Sequence, residues 1–520
     1  MMKKITLLLL FTCFIMLQGK AQRIEYDLGD GDDHKLITMG EHGALLIYDT
    51  EEKSSSGNIL WKFDRLSQEL KKTESNTVEI DKKMSFQRYY KDDDNIYLLF
   101  ANPSGSYNYA IIKYGIDKGG IHKTHNEIEK HIAVLDFIVT DEVAYLGGAT
   151  ILTGFKTVSK LFCNMATCFI PYFIKGRLTD NKPILAKTNL SNNHQEMLSP
   201  EDLKGQAVVS SLNKNSLDDN FTSLFIHSPK KKIINLSLEE YNRNGKLIQK
   251  SNIKPKNEEN ILLMGKPMQV NKDKSIVIGT YTDKKRKAKF AVNHYGAFYG
   301  VRTTGLYFTT LDNGEQDKLK YHPFSSFTSS DNFKNIHKNY MLLFHDIMVN
   351  DDEYIMVAEA YYPEYETRMV TTYADGKTRT RPESVFVGFR WTHAFVAGFD
   401  RVGNLRWDHI FRIHSSLSKT IKERVHIAKQ DKGRLTLIYT YDNKVKSLKI
   451  VGEKVIKDDE VADIKSTYDE DNVKWTDDEE TSHWYGNYML VSGSAKIKNK
   501  EMERGEKRRK VFYVNKIEYD

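Results

Sequence analysis

A two-part pattern of apolar and polar positions returns about eight times along this chain, roughly every 50 to 90 residues. Its first part is an acidic or Asn-rich turn followed by a short apolar run, as at residues 143–148 and 354–358. These runs are apolar at successive positions, so both faces of each predicted strand are apolar. A strand buried between two neighbouring sheets requires this composition.

The second part of the pattern is a strand with alternating polarity that leads into a turn containing Gly. Residues 109–114 show this alternation before the turn at 117–119, and residues 236–241 show it before Asn244 and Gly245. The Gly supplies the positive φ that a tight hairpin needs. Two hairpins per repeat without an intervening helix predict an all-β, single-domain β-propeller of about eight four-stranded blades, with seven as the alternative.

The two ends of the chain predict how this ring closes. After the N-terminal segment the chain starts with a first-part hairpin, and it stops after a single second-part strand at residues 511–517. Pairing of the N-terminal and C-terminal strands would remove two exposed sheet edges. We therefore expect the two terminal strands to share one blade.

Residues 399–407 have the sequence Phe-Asp-x-x-Gly-x-Leu-x-Trp. This segment resembles the strand-turn-strand signature of quinoprotein-like propeller repeats. The resemblance covers one hairpin well and the others only loosely. It implies the propeller fold, and it assigns no cofactor residues in this sequence; we expect no cofactor and no metal.

The N-terminus predicts export. Lys3 and Lys4 precede an apolar stretch at residues 5–17, which is too short for a spanning helix and typical of a secretory signal peptide. We assign residues 1–22 to this signal and residues 23–520 to the propeller. The expected location is periplasmic, cell-surface or secreted, with peripheral membrane contact as an open possibility.

The charge balance of the chain bears on one class of partner. The sequence has 77 Lys and Arg against 70 Asp and Glu, and three of the positive charges belong to the signal peptide. A nearly balanced chain of this length does not indicate nucleic acid.

Three segments interrupt the repeat near residues 151–178, 284–305 and 361–391. Loops on a rigid scaffold often carry function, so we expect these segments to bind a partner. Cys163 and Cys168 in the first segment are a candidate disulfide. The candidate binding residues are Phe162, Phe169, Tyr172, Phe173, Tyr295, Phe298, Tyr299, Arg302, Tyr361, Tyr362, Tyr365, Arg368 and Trp391.

Tyr and Arg at these positions favour recognition, because flat rings and forked donors bind at low entropic cost. The tyrosines could equally line the strands of an extended blade. The sequence therefore predicts an exported interaction protein of the cell envelope that recognises a protein, peptide or glycan. The alternative is a hydrolase or lyase that acts on polysaccharide or peptide at the central channel.

Overall fold

A computed structural model describes most of the chain. The described residues are 22–27, 34–102, 106–150, 182–198, 203, 205–215, 217–229, 234–283, 290–293, 296–299, 303–328, 340–350, 352–374, 377–418, 421–428, 433–503 and 507–519.

The described residues form strands joined by short turns. The first seventeen strands are β1 (Gln22–Asp27), β2 (His34–Thr38), β3 (Ala44–Lys53), β4 (Ile59–Leu66), β5 (Lys72–Ile80), β6 (Ser85–Lys91), β7 (Asn95–Ala101), β8 (Ser106–Gly115), β9 (Ile121–Thr140), β10 (Val143–Thr150), β11 (Pro183–Asn189), β12 (Gln195–Met197), β13 (Gln206–Lys214), β14 (Phe221–Ser228), β15 (Asn235–Tyr241), β16 (Leu247–Ile253) and β17 (Asn260–Gln269). The others are β18 (Lys274–Asp283), β19 (Phe290–Asn293), β20 (Gly296–Tyr299), β21 (Gly305–Asp312), β22 (Glu315–Pro323), β23 (Met341–Phe344), β24 (Met348–Asn350), β25 (Glu353–Ala374), β26 (Lys377–Asp400), β27 (Leu405–Ser418), β28 (Val425–Ala428), β29 (Arg434–Tyr441), β30 (Lys444–Val451), β31 (Lys454–Asp463), β32 (Asn472–His483), β33 (Tyr488–Lys498) and β34 (Arg508–Glu518).

Helix in the described ranges is limited to two single 3₁₀ turns, Gly40–His42 and Phe324–Ser326. Within those ranges, no helix is long and apolar enough to cross a membrane.

The strands form eight antiparallel four-stranded blades. Blade 1 is β2–β5, blade 4 is β13–β16, blade 7 is β28–β31, and blade 5 is β17, β18, β21 and β22, with the β19–β20 hairpin inserted. Blades 2 and 3 share the long strand β9, so their strands β6–β12 form one continuous sheet. Blade 6 contains β23–β27. Its strands β23 and β24 both pair with β25, one after the other along its length. Blade 8 contains β32, β33 and β34, with β1 as its fourth strand.

The N-terminal strand therefore completes the last blade, as the sequence pattern predicts. β1 pairs antiparallel with β34, and Ile24 lies opposite Val514. Blade 8 also packs on blade 1, where the indole of Trp484 donates a hydrogen bond to the Gly43 carbonyl oxygen at 2.7 Å. This contact joins residues that are 441 positions apart, and it is buried.

Apolar clusters connect the blades around the ring. Within the described ranges, eight clusters of buried residues each join consecutive blades, for example blades 1 and 2, blades 6 and 7, and blades 8 and 1. The second strand of each blade carries the apolar run predicted from sequence; in β7, Ile96, Leu98, Leu99 and Phe100 are fully buried. These strands contact sheets on both sides, which explains the absence of polar alternation.

The Asp/Asn-x-x-Gly turns have a common physical basis. Between β26 and β27, the Asp400 carboxylate accepts hydrogen bonds from the backbone N–H groups of Val402 and Asn404 at 3.0 and 2.7 Å. Gly403 then adopts a φ of 83°, which other residues rarely accept. Asn242 and Gly245 repeat the arrangement between β15 and β16. The motif is thus a self-capped hairpin turn.

The fourth strand of blade 8 is held by charge as well as by backbone pairing. Glu25 of β1 accepts hydrogen bonds from Arg23 and Arg509 at 2.7 and 2.9 Å. Although burial alone would raise it, Arg509 and Arg23 hold the pKa of Glu25 below its usual value. The carboxylate therefore stays ionised and attaches β1 to β34.

We predict that a chain starting at residue 28 is less stable than one starting at residue 22, by at least about 2 kcal/mol, because β34 loses its ladder partner and the apolar cover of Ile24. Chemical denaturation of both chains measures the difference. Equal unfolding free energies would show that β1 does not contribute to ring stability.

Candidate functional site

The hairpin of β25 and β26 extends beyond the rest of blade 6. β23 pairs with β25 only as far as Tyr361, and β27 pairs with β26 only from Phe389 onward. Residues 364–374 and 377–388 then pair with each other, and no other described strand pairs with either of them. We call this ribbon, residues 364–388, the arm. At about 3.3 Å per residue its strands are roughly 35 Å long.

One face of the arm carries no charge. Tyr365, Met369 and Tyr373 lie on it with exposed fractions of 56%, 66% and 76%. The hydroxyl groups of Thr371 and Thr380 hydrogen-bond across the strands at 3.1 Å on the same face. We call this surface the neutral face; its residues are Tyr365, Thr367, Met369, Thr371, Tyr373, Thr378, Thr380, Pro382, Ser384 and Phe386.

The opposite face of the arm is charged. Arg368 and Glu366 form an ion pair at 3.1 Å, and Glu383 lies opposite Arg368 in the register. Glu366 and Arg368 are both more than half exposed, so their ion pair contributes little to stability. This face is suited to water, whereas the neutral face exposes large apolar side chains.

The base of the arm is packed into the core. Tyr365 contacts Phe386 edge-to-face with ring centroids 5.6 Å apart, and Phe386 contacts Phe389 at 5.1 Å. Tyr361 continues the series to Trp391 at 4.8 Å. Tyr361 and Trp391 are 2% and 0% exposed. They belong to the core that supports the arm, where they cannot reach a surface ligand, so the prediction that these two bind a partner is not retained.

The two edges of the arm differ. Pro382 lies in the middle of the β26 edge, and an imide nitrogen cannot donate to an added strand. The β25 edge contains no Pro between Glu364 and Ala374. Pro is one of the residues that protect edge strands against pairing. The β25 edge is therefore the one open to strand addition.

The structure describes some of the other predicted binding residues but not all of them. Tyr362 is half-buried and contacts Tyr340 edge-to-face at 5.5 Å, while Arg368 is exposed on the charged face. Phe298 and Tyr299 belong to the inserted strand β20. The remaining predictions lie outside the described residues; they are Phe162, Phe169, Tyr172, Phe173, Tyr295, Arg302 and the candidate disulfide of Cys163 and Cys168.

A second group of polar side chains lies where the first strands of the blades meet. β2 contacts β32, and β13 contacts both β9 and β17, so these first strands surround the axis of the ring. Charged side chains converge there from different blades. We call them the channel cluster; they are Lys35, Asp136, Lys266, His345, Asp346, Lys422, Glu423, Asp478 and Glu480.

Ion pairs connect the blades within the channel cluster. Glu480 of blade 8 binds Lys35 of blade 1 at 2.5 Å and Lys422, in the segment before blade 7, at 2.9 Å. Burial would raise the pKa of Glu480, but the two lysines hold it well below its usual range. Lys266 of blade 5 pairs with Asp346 of blade 6 at 2.7 Å.

Glu423 lies near the centre of this cluster. Its charge shifts the pKa values of Lys35, Tyr89, Lys266 and His345, which belong to blades 1, 2, 5 and 6. Only a group close to the ring axis can interact with side chains from such distant blades. The Glu423 side chain is 59% exposed, and its carboxylate lies 3.6 Å from Nδ1 of His345.

Tyr89 of blade 2 lies beside Lys35 of blade 1, whose Nζ is 5.9 Å from the centroid of the Tyr89 ring. Its side chain is 42% exposed, yet burial raises the pKa of its phenol. A phenol and an ammonium group from neighbouring blades thus meet at this position. The channel can therefore position proton donors and acceptors, which catalysis requires.

His345 is a buried member of the cluster that connects blades 6 and 7. Its Nε2 lies 2.7 Å from Glu359, a fully buried carboxylate that also accepts the backbone N–H groups of Arg424 and Val425. Although burial opposes it, Glu423 and Glu359 raise the pKa of His345. Glu359 thus fixes the start of β28, directly after Glu423.

Sequence reasoning missed Met369, Tyr373 and the whole channel cluster. Tyr365, Met369 and Tyr373 recur every four residues on one strand, and this alternation is a signal that could have identified the neutral face. Lys35 and Tyr89 are 54 positions apart on different blades, and Glu423 lies more than 300 positions further along the chain. Only the ring brings them together, so no local pattern marks them.

Comparisons with known proteins identify no family for this chain. No family model matches it, and no curated protein is significantly similar to it. Among solved structures, it is similar to a europium-containing methanol dehydrogenase at 10% identity and a TM-score of 0.42, over 95% of this chain and 92% of that chain. It is also similar to an ulvan lyase, a polysaccharide lyase, at 10% identity and a TM-score of 0.37, over 82% of this chain and 90% of that chain.

A puromycin-hydrolyzing peptidase from Mycobacterium tuberculosis is similar at 8% identity and a TM-score of 0.39, over 81% of this chain and 52% of that chain. This chain therefore spans about half the length of that peptidase. These neighbours include propeller folds, but scores and identities this low carry no information about activity.

We predict that acid destabilises the protein partly through His426 of β28. Burial, together with the charges of His483 and His345, lowers the pKa of His426 to about 4. Between about pH 6.5 and 4, the unfolded imidazole takes up a proton that the folded one does not, so stability falls as pH falls. The variant His426→Leu should therefore lose about 2 kcal/mol less than the parent over this range.

Denaturant unfolding of both chains between about pH 7 and pH 4.5 measures this difference. His345 titrates with the opposite sign and is present in both chains, so its own contribution is common to the two profiles. Parallel pH profiles would show that His426 is not held neutral in the folded state.

Proposed function

We propose that this protein is an exported interaction protein of the cell envelope, and that its arm binds a protein partner by adding a strand to the β25 edge. The observation that carries the proposal is the two-stranded ribbon of residues 364–388, to which the described strands of the chain add no third strand. Added strands are a common mode of peptide recognition, because main-chain hydrogen bonds supply affinity.

The low stability expected of an isolated two-stranded ribbon supports a partner for the arm. A two-stranded hairpin is marginally stable in water, and three or more strands with an apolar face are needed for independent stability. The arm instead exposes Tyr365, Met369 and Tyr373 on its neutral face. A partner that adds strands would stabilise the ribbon and could cover these side chains.

The core of the ring holds the base of the arm in place. Tyr361, Phe389 and Trp391 fix its base in the core between blades 6 and 7. A rigid base lowers the entropy that binding must overcome, because the direction of the arm is set before the partner arrives. The signal peptide predicted at residues 1–22 would place this arm outside the cytoplasm, where an envelope partner is accessible.

Shortening the arm tests the proposal. Replacing residues 365–387 with Asn-Gly joins Glu364 to Gly388, which face each other in the register, through a tight turn. We expect this variant to keep the melting temperature of the ring and to lose the envelope partner that the parent captures, with at least about tenfold weaker binding.

The matched control is the double variant Glu366→Ala with Arg368→Ala, which changes the charged face and leaves the β25 backbone edge intact. It should bind like the parent, because strand addition is made by main-chain groups. Equal capture by the shortened and the parent chains would contradict the proposal. If the parent chain captures a glycan and the shortened chain does not, the partner of the arm is a glycan and not a protein.

A second candidate function is a hydrolase or lyase that acts on polysaccharide or peptide in the channel. The observation that favours it is the exposed Glu423 carboxylate, whose charge acts on Lys35, Lys266 and the Tyr89 phenol. A carboxylate and a phenol near the same axis could act as general base and general acid, with the lysines neutralising an anionic substrate.

For this candidate we predict that Glu423→Gln lowers turnover about a hundredfold or more, which is the usual contribution of a general acid or base. Glu315→Gln, which changes an exposed carboxylate on the outer strand β22, is the control and should leave turnover unchanged. Release of new chain ends from polysaccharide and peptide mixtures is the measurement. Turnover that survives Glu423→Gln would exclude Glu423 as the catalytic group.

A further inference from the structure

We infer that the partner that adds a strand to the arm is a second copy of this chain, paired antiparallel through residues 364–374 about a two-fold axis at Met369. The inference rests on the proposed strand addition and names its occupant. It follows from the symmetry of the side chains along the β25 edge.

Symmetry fixes which faces come together. Two identical antiparallel strands are related by a two-fold axis perpendicular to their sheet, so the same face of each strand lies on the same side. The neutral faces of two arms therefore become one surface, and the charged faces become the other. No charged side chain is transferred to the neutral surface.

The side chains match when the axis passes through Met369. Tyr365 then lies opposite Tyr373 of the second copy, and Thr367 lies opposite Thr371. Aromatic pairs and Thr pairs opposite each other stabilise antiparallel strands. On the charged face, Arg368 lies opposite Val370, so no like charges face each other across the new pairing.

Two-fold axes at the neighbouring residues of the neutral face give less favourable pairings. An axis at Thr367 would place Tyr373 opposite Tyr361, a position that Met341 of β23 already occupies. An axis at Thr371 would pair only residues 368–374 and leave Tyr365 without a partner. The axis at Met369 uses the whole arm strand and does not overlap β23.

The assembly stops at two copies. Pairing through β25 gives a four-stranded sheet whose outer strands are the two copies of β26. Each outer edge carries Pro382, which disfavours further strand addition. The four strands also meet the requirement for a stable sheet that a single arm does not meet.

Disulfide trapping tests the register. In Met369→Cys the two introduced thiols lie directly opposite each other, within the distance that a disulfide spans. Mild oxidation should give a reducible dimer at least about tenfold more abundant than in Thr367→Cys, whose thiols lie roughly 13 Å apart. Mixing Thr367→Cys with Thr371→Cys should restore the cross-link, because these positions face each other. The parent chain, which contains Cys163 and Cys168, gives the background.

A charge-pair rescue gives an independent measurement in solution. Tyr373→Glu should weaken the dimer about tenfold in sedimentation equilibrium, because each dimer loses two aromatic pairs. Adding Tyr365→Lys should restore most of the affinity through two Lys–Glu pairs between the copies. Positions 365 and 373 are roughly 26 Å apart along one strand, so they cannot rescue each other within one chain.

The outcomes separate this inference from the proposed function. Monomers at all concentrations and no excess of the Met369→Cys dimer would overturn the second copy as occupant. If shortening the arm still abolished capture of a different protein, strand addition itself would stand. A dimer that forms equally well from the shortened chain would overturn the second copy as occupant, and equal capture of a different protein by the two chains would overturn strand addition as well.

Discussion

Unpaired strand edges are the constraint on which this structure depends. Each blade is an antiparallel sheet, and every exposed edge carries N–H and C=O groups that can pair with another chain. The ring satisfies its terminal edge by bringing β1 to β34 across nearly the whole sequence. The arm differs from the ring in this respect. Its two strands extend beyond the sheet, and both of their edges have no partner strand in the described part of the chain.

The ring and the arm therefore have separate physical roles. Apolar clusters between consecutive blades make the ring a closely packed frame, and the buried Trp484 contact joins its last blade to its first. Polar groups concentrate at the axis, where Glu480 and Glu423 interact with side chains of several blades. A frame of this kind can present a ribbon in a fixed direction without depending on that ribbon for its own stability.

The architecture was predictable because its signal is local and repeated. The apolar runs at 96–100 and 354–358 are the second strands of blades 2 and 6, and Asp400 with Gly403 forms the turn that the motif indicates. Pairing of the chain ends followed from the half-repeat at the C-terminus. These features need only neighbouring residues to be recognised.

The site was less predictable because position in the sheet decides the role of a side chain. Tyr361 and Tyr365 are four residues apart on one strand, yet β23 and the core cover the first and leave the second exposed. The interruption at 361–391 is thus a continued hairpin and its buried base. The channel cluster depends on contacts between distant blades, which a linear pattern cannot contain. The segment at 151–178 lies outside the described residues, and its role in binding stays a prediction.

Hydrogen–deuterium exchange of the intact protein over a range of concentrations tests the account most directly. If the β25 edge is the docking edge and a second copy fills it, amides at residues 364–374 should gain protection as concentration rises. Amides at residues 377–388 should change little at their outward positions, since Pro382 disfavours pairing there. Exchange of the arm that is independent of concentration, or protection gained first along β26, would contradict the account.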